Sequence, residues 1–132
     1  MRLGKFLKFI LISAYKKTIE KVDLNGFVIP IPERSKEESD SIYYEYLFKA
    51  EVLHLYFKVE RSRKQANNKY RVMYKDTPEY RKALVQYTRA IYKLYEYGLI
   101  EIWESGYTDD WQSAIKLTEA GKEKALDLIG KS

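Results

Sequence analysis

The chain has 132 residues, enough for one domain with a core of its own, and its 45% apolar and 33% charged content is ordinary for a globular protein. That balance excludes wholesale disorder. The lack of cysteine and the single histidine, His54, exclude disulfides, thiolate metal sites and multi-histidine metal sites. The net charge is +5 and the excess is local: from Lys58 to Lys93 eleven basic residues face three acids, a net +8, so the rest of the chain sums to −3. A local basic excess is the electrostatic footprint of a nucleic-acid-binding surface. A merely solvated basic helix face is the plainer alternative. Tyrosine is abundant, with 13 copies, and its apolar ring with a polar tip suits half-buried positions and interfaces.

In chain order, the first predicted element is an amphipathic helix from about Leu3 to Val22. Leu3, Phe6, Leu7, Ile10 and Ala14 form one stripe, and Leu11, Tyr15, Ile19 and Val22 widen it. Lys8 interrupts the apolar run and no small-x-small cleavage site follows, so the segment reads as neither a secretory signal nor a membrane span, which needs roughly 20 apolar residues. Asn25-Gly26 reads as the end of that helix. Phe27 to Pro32 reads as an edge strand or extended loop, because its prolines bar a central strand. Ser35 and Glu38 fit a capping box for a long Tyr-rich helix running to about Lys64, with Tyr43, Tyr46, Leu47, Ala50, Leu53 and Phe57 at helical spacing. His54 lies within its apolar run and reads as structural. Asn67-Asn68 reads as its end, and residues 65–77 as irregular.

Asp76-Thr77-Pro78-Glu79 has a capping side chain, a proline in the first helical position and an acid in the first turn. It starts a helix that runs to about Tyr97 and stops at Gly98. Leu99 to Glu104 and Trp111 to Leu117 read as two strands of a β-hairpin around a Gly-containing turn. Thr118 caps a last helix, Glu119 to about Ile129, with Ala120, Leu126 and Ile129 expected to face inward. The expected fold class is therefore mainly α with a small β-hairpin, an α+β domain.

Two segments resemble a known group. Thr88 to Ile100 looks like the recognition helix and first wing strand of winged-helix regulators, the MarR-like group being the nearest. Leu117-Thr118-Glu119-Ala120-Gly121 looks like the Leu-Thr-x-x-Gly that opens the helix after the wing in that group. The resemblance covers about residues 78–129. It implies a winged helix-turn-helix with additional N-terminal helices, in a single domain spanning 1–132. Residues 1–64 would be a helical, dimerising part; residues 78–129 would hold the recognition helix, wing and C-terminal helix. It also implies a double-stranded DNA partner, a transcription-regulating role, and a homodimer matched to a palindromic site.

The residues of the helix agree independently. With Leu84, Tyr87, Ile91 and Leu94 toward the core, Lys82, Gln86, Arg89 and Lys93 fall on the other side at spacings of four, three and four. Gln86 suits an adenine edge, Arg89 a guanine or a phosphate, and Lys82 and Lys93 phosphates. Thr88 and Tyr92 flank the row, and Tyr107 in the wing turn can bond phosphate. Two features depart from the pattern: about 13 residues separate the long helix from the recognition helix, where a short turn is the rule, and Asp109-Asp110 make the wing tip acidic. The acidic tip favours the alternative, a winged-helix module for protein–protein assembly without specific DNA binding. Catalytic groups, metal spacing and cofactor loops are not recognisable, so no enzyme, metal or cofactor is expected. The absence of cysteine with abundant Tyr, Lys and Ile resembles small proteins of thermophilic archaea and their viruses or plasmids, and an intracellular location is expected.

Overall fold

The computed structural model describes residues 2–22, 24, 44–59, 61–66, 69–74, 76–103 and 114–130. In chain order these form α1 (Lys5–Thr18), β1 (Leu47–Phe48), α2 (Lys49–Phe57), β2 (Arg61–Ala66), β3 (Lys69–Tyr74), α3 (Pro78–Glu96), β4 (Ile100–Trp103), β5 (Ala114–Leu117) and α4 (Glu119–Gly130). Among the described residues the protein is mainly helical with a three-stranded antiparallel sheet in the order β1-β5-β4, and β2 and β3 form a separate two-stranded ribbon. The expected α+β class therefore holds.

β5 is the central strand because it pairs on both edges. Ile115 lies opposite Leu47 on one side and Ile102 on the other, and Ala114 opposite Phe48 and Trp103. The core fills the space between this sheet and the helices. Ile10, Leu11 and Ala14 of α1, Leu53 of α2, Tyr87, Ile91 and Leu94 of α3, and Ala125 of α4 are all fully buried with Leu47 and Ile115. Apolar area withdrawn from water in this way is the main term stabilising such a domain. Phe6 and Phe9 of α1 meet Tyr56 of α2 at ring-centroid distances of 4.6 and 4.9 Å, and Phe6 meets Phe57 edge-on at 5.0 Å, separations typical of attractive ring pairs.

Several sequence expectations are corrected. The first helix ends at Thr18 and not Val22. Lys21 takes a left-handed conformation (φ 58°), and the Ile19 and Val22 amides donate back to the Tyr15 and Lys16 carbonyls, closing the helix before the Asn25-Gly26 signal is reached. The long Tyr-rich helix does not run to Lys64. Leu47 and Phe48 are buried strand residues hydrogen-bonded to β5, and α2 occupies only Lys49–Phe57. It is stopped by Lys58, again left-handed at φ 58°, whose amide donates to the His54 carbonyl. Residues 65–77 are not irregular: they contain the end of β2 and the whole of β3. The inward face of α4 is also different. Gly121 and Ala125 are buried, whereas Ala120 and Leu126 are exposed and Ile129 is half-buried. The expectations for Phe27 to Pro32 and for the Ser35–Glu38 capping box lie outside the described residues.

One polar contact crosses this apolar interior. Lys17 of α1 and Glu51 of α2 form an ion pair with both side chains 0% exposed. The Lys17 ammonium also lies 4.6 Å from the centroid of the Phe48 ring. Glu51 Oε1 accepts in addition from the Phe48 amide at 3.0 Å, satisfying the first free N–H of α2. The pair thus joins the end of α1 to the junction of β1 and α2. Removing one partner leaves the other charge buried and uncompensated, which costs roughly 3–5 kcal/mol. K17M is expected to lower the urea midpoint accordingly. The double variant K17M/E51Q, which keeps an acceptor for the Phe48 amide but buries no charge, is expected to recover most of the loss. Equal midpoints for native protein and K17M would show that the pair does not hold these elements.

Candidate nucleic-acid interface

α3 is built from a strong local code. The Thr77 hydroxyl accepts from the Tyr80 amide at 3.1 Å, and Pro78 occupies the first helical turn, where its missing N–H is no loss. Asp76, just before the cap, receives two bonds from the Arg81 guanidinium, 2.8 Å from Nε and 2.9 Å from the terminal nitrogen. The hydrogen bond and charge of Arg81 hold the Asp76 carboxyl below its ordinary value of 3.8. Burial, aided by the Asp76 charge, raises the Tyr80 phenol. A carboxyl lowered in the folded state contributes stability that is present above its ordinary value and is lost as pH falls through the lowered one. NMR titration is expected to find the Asp76 midpoint below 3.8, and R81Q to return it toward that value. An unchanged midpoint in R81Q would mean that the fork does not persist in solution.

The far end of α3 is held as firmly. Gly98 takes a positive φ of 73° and turns the chain into β4. The Thr118 hydroxyl donates to the Gly98 carbonyl at 2.6 Å and accepts from the Gly121 amide at 3.1 Å, and the Thr118 amide donates to the Leu99 carbonyl at 3.1 Å. Thr118 therefore caps α4 and staples it to the turn after α3. Gly121 makes this approach possible, since a Cβ there would stand 1.9 Å from the Leu99 carbonyl oxygen. G121A is expected to cost at least the roughly 1–3 kcal/mol of an overpacked core. A thermal midpoint within a degree of the native value would show that α4 can move away freely.

Held at both ends, α3 buries Ala83, Tyr87, Ala90, Ile91 and Leu94 and turns its other side to solvent. Leu84, expected in the core, is only half-buried, because the buried face of α3 is centred on Tyr87, Ile91 and Leu94 and extends to Ala83 and Ala90 on its far side. Lys82, Gln86, Arg89 and Lys93 are all exposed. Among the described residues none of these four is engaged by an ion pair or a side-chain hydrogen bond. The structure thus brings the row together on one open flank. Tyr92 is also exposed, at 47%, one turn from Arg89. Thr88, one turn before Tyr92 on the same flank, is half-buried toward the Leu84 and Ile91 side of α3 and does not join the exposed row. Tyr107 and the acidic pair Asp109-Asp110 lie outside the described residues.

Sequence reading missed one member of this surface. Val85, 48% exposed, lies between Lys82 and Arg89 on the outward side. It is of the right kind to meet a thymine methyl group. Arg81, by contrast, is committed to Asp76.

Among the described residues there is no His, Asp or Glu cluster able to hold a metal ion, and no helix long and apolar enough to cross a membrane. No known protein family matches the sequence, and no characterised protein or solved structure is similar to it.

Proposed function

We propose that this protein is a winged-helix DNA-binding protein of the MarR-like kind, a transcriptional regulator that lays α3 in the major groove of duplex DNA and acts as a homodimer. The observation that supports this most is the exposed row Lys82, Gln86, Arg89 and Lys93, uncommitted among the described residues, on a helix fixed at both ends. The order of elements also supports it. Among the described residues the order helix, strand, helix, helix, strand, strand, helix, with the first strand added to the edge of the β4–β5 pair and the ribbon set between α2 and α3, is compatible with a winged helix. Arg89, Gln86 and Val85 would address base edges, while Lys82 and Lys93 would position the helix through phosphates.

Dimerisation would not use the apolar stripe of α1, whose Ile10, Leu11 and Ala14 are spent inside the monomer. The apolar groups left open at the end of that segment, Ile19 and Val22, and Leu126 on α4 are the better candidates. Fluorescence anisotropy with mixed-sequence duplexes over a salt series tests the reading. The native chain is expected to bind with a log–log salt slope of about −0.9 per phosphate contact. R89A is expected to lose about 1–3 kcal/mol and to discriminate less among sequences; K93A is expected to weaken all sequences alike and to lower the slope by about one. No binding to any duplex at low salt would transfer the proposal to the assembly module, for which Val85, Tyr92 and Tyr95 would be the contact groups.

A further inference from the structure

We infer that the β2–β3 ribbon is a second DNA-binding element, one that grips the sugar–phosphate backbone of the duplex whose bases α3 addresses; this rests on the reading of α3 given above. The first observation is chemical. The fourteen residues Arg61 to Tyr74 contain five cations, Arg61, Arg63, Lys64, Lys69 and Arg71, and no acid.

The second is the register. Lys64 stands directly opposite Arg71, and two positions on, Ala66 with Lys69 adds a third cation to that face near the ribbon's end. Like charges directly opposite each other destabilise an antiparallel pair, and a two-stranded ribbon by itself is marginal in water. A register that sets cation opposite cation is one that a polyanion laid along it would favour.

The third observation is position. The ribbon occupies the connection between α2 and α3, where a helix-turn-helix has a short turn, and only residues 75–77 separate β3 from the start of α3. Two six-residue strands at roughly 3.3 Å per residue reach about 20 Å. That is over half a turn of B-DNA, whose repeat is about 34 Å, so the ribbon can follow the backbone beside the groove that receives α3. Charge complementarity and the shared origin with α3 favour duplex DNA as its occupant over an acidic protein or a lipid surface.

The test uses the full chain with K64Q/K69Q/R71Q, compared with the charge-preserving K64R/K69R/R71K and with R89A, all checked for native circular dichroism and thermal midpoint. Affinity for mixed-sequence duplex is read by anisotropy across a salt series. The neutral triple variant is expected to bind at least tenfold more weakly, with a salt slope smaller by about two to three, since each lost phosphate contact removes about 0.9. Its preference among duplex sequences is expected to stay native, whereas that of R89A falls. The charge-preserving variant is expected to bind as the native chain does. A folded neutral triple with native affinity and slope would overturn the ribbon's role and leave the reading of α3 intact. A native chain that binds no duplex at low salt would overturn both. Capture by anionic vesicles or polyglutamate instead, lost in the neutral triple, would overturn DNA as the occupant.

Discussion

The constraint on which the rest of this structure depends is the ion pair buried between Lys17 and Glu51. Neither charge can remain in the interior alone, so wherever α1 ends, the start of α2 must be. Glu51 answers to two partners at once, the Lys17 ammonium and the Phe48 amide. It thereby fixes the boundary between β1 and α2 as well as the distance to α1. A dry pair of this kind adds little net stability compared with apolar residues of the same volume. Its effect is positional, because an apolar contact tolerates sliding and a shared proton-bearing contact does not. With α1 and β1 placed, β5 gains its second edge partner, and the sheet on which α3 and α4 rest is complete.

α3 is located by a different kind of contact. At its start the cap and the Asp76–Arg81 fork are local, formed within six residues. At its end the anchor is distant in sequence: Thr118 and Gly121 close on the Gly98 and Leu99 carbonyls. A helix that presents side chains to a partner needs its axis set from both ends, since a small swing at one end moves an exposed row by ångströms. The Leu-Thr-x-x-Gly segment thus has a physical meaning here that does not depend on resemblance. The threonine hydroxyl serves two backbones at once, and the glycine is small because a carbonyl stands where its Cβ would be.

How much of this is legible in the sequence follows from the range of the interactions. From Asp76 onward the elements are readable because their signals are local: a cap, a proline, a positive-φ glycine, a second cap. The row on α3 is readable for the same reason, since helical period alone puts Lys82, Gln86, Arg89 and Lys93 together and Thr88 elsewhere. From Leu47 to Tyr74 the sequence misleads. Tyr46, Leu47, Ala50 and Leu53 have helical spacing, yet Leu47 and Phe48 become a strand because β5, far away in the chain, offers an open edge. Lys58 stops α2 in a conformation that lysine rarely adopts and that nothing nearby announces. The ribbon did leave a trace: Tyr70, Val72 and Tyr74 alternate, and Asn67-Asn68, residues tolerant of positive φ, separate the two strands. The trace is weak because the alternation is on one strand: the residues opposite Tyr70, Val72 and Tyr74 are Gln65, Arg63 and Arg61. The buried role of Lys17 has no local signal whatever; in sequence it is one of two lysines at a helix end.

The charge distribution can be weighed against these structural needs. A domain of net +5 has no stability reason to concentrate +8 between Lys58 and Lys93 while the remainder is −3, since self-repulsion within a segment opposes its folding. Among the described residues, three acids outside the segment are paired with cations that also lie outside it: Glu51 with Lys17, Glu101 with Lys116 and Glu119 with Lys122. Within the segment Arg81 is paired with Asp76, and that pair serves the start of α3. On the proposed reading the arrangement has a division of labour. A phosphate backbone offers the same charge at every step, and a ribbon rich in cations suits it. Base edges differ from step to step, and reading them requires the rigidly held, mixed row of α3, where an amide, a guanidinium and a methyl-bearing side chain stand side by side. On that reading the helix would supply the discrimination and the ribbon much of the affinity.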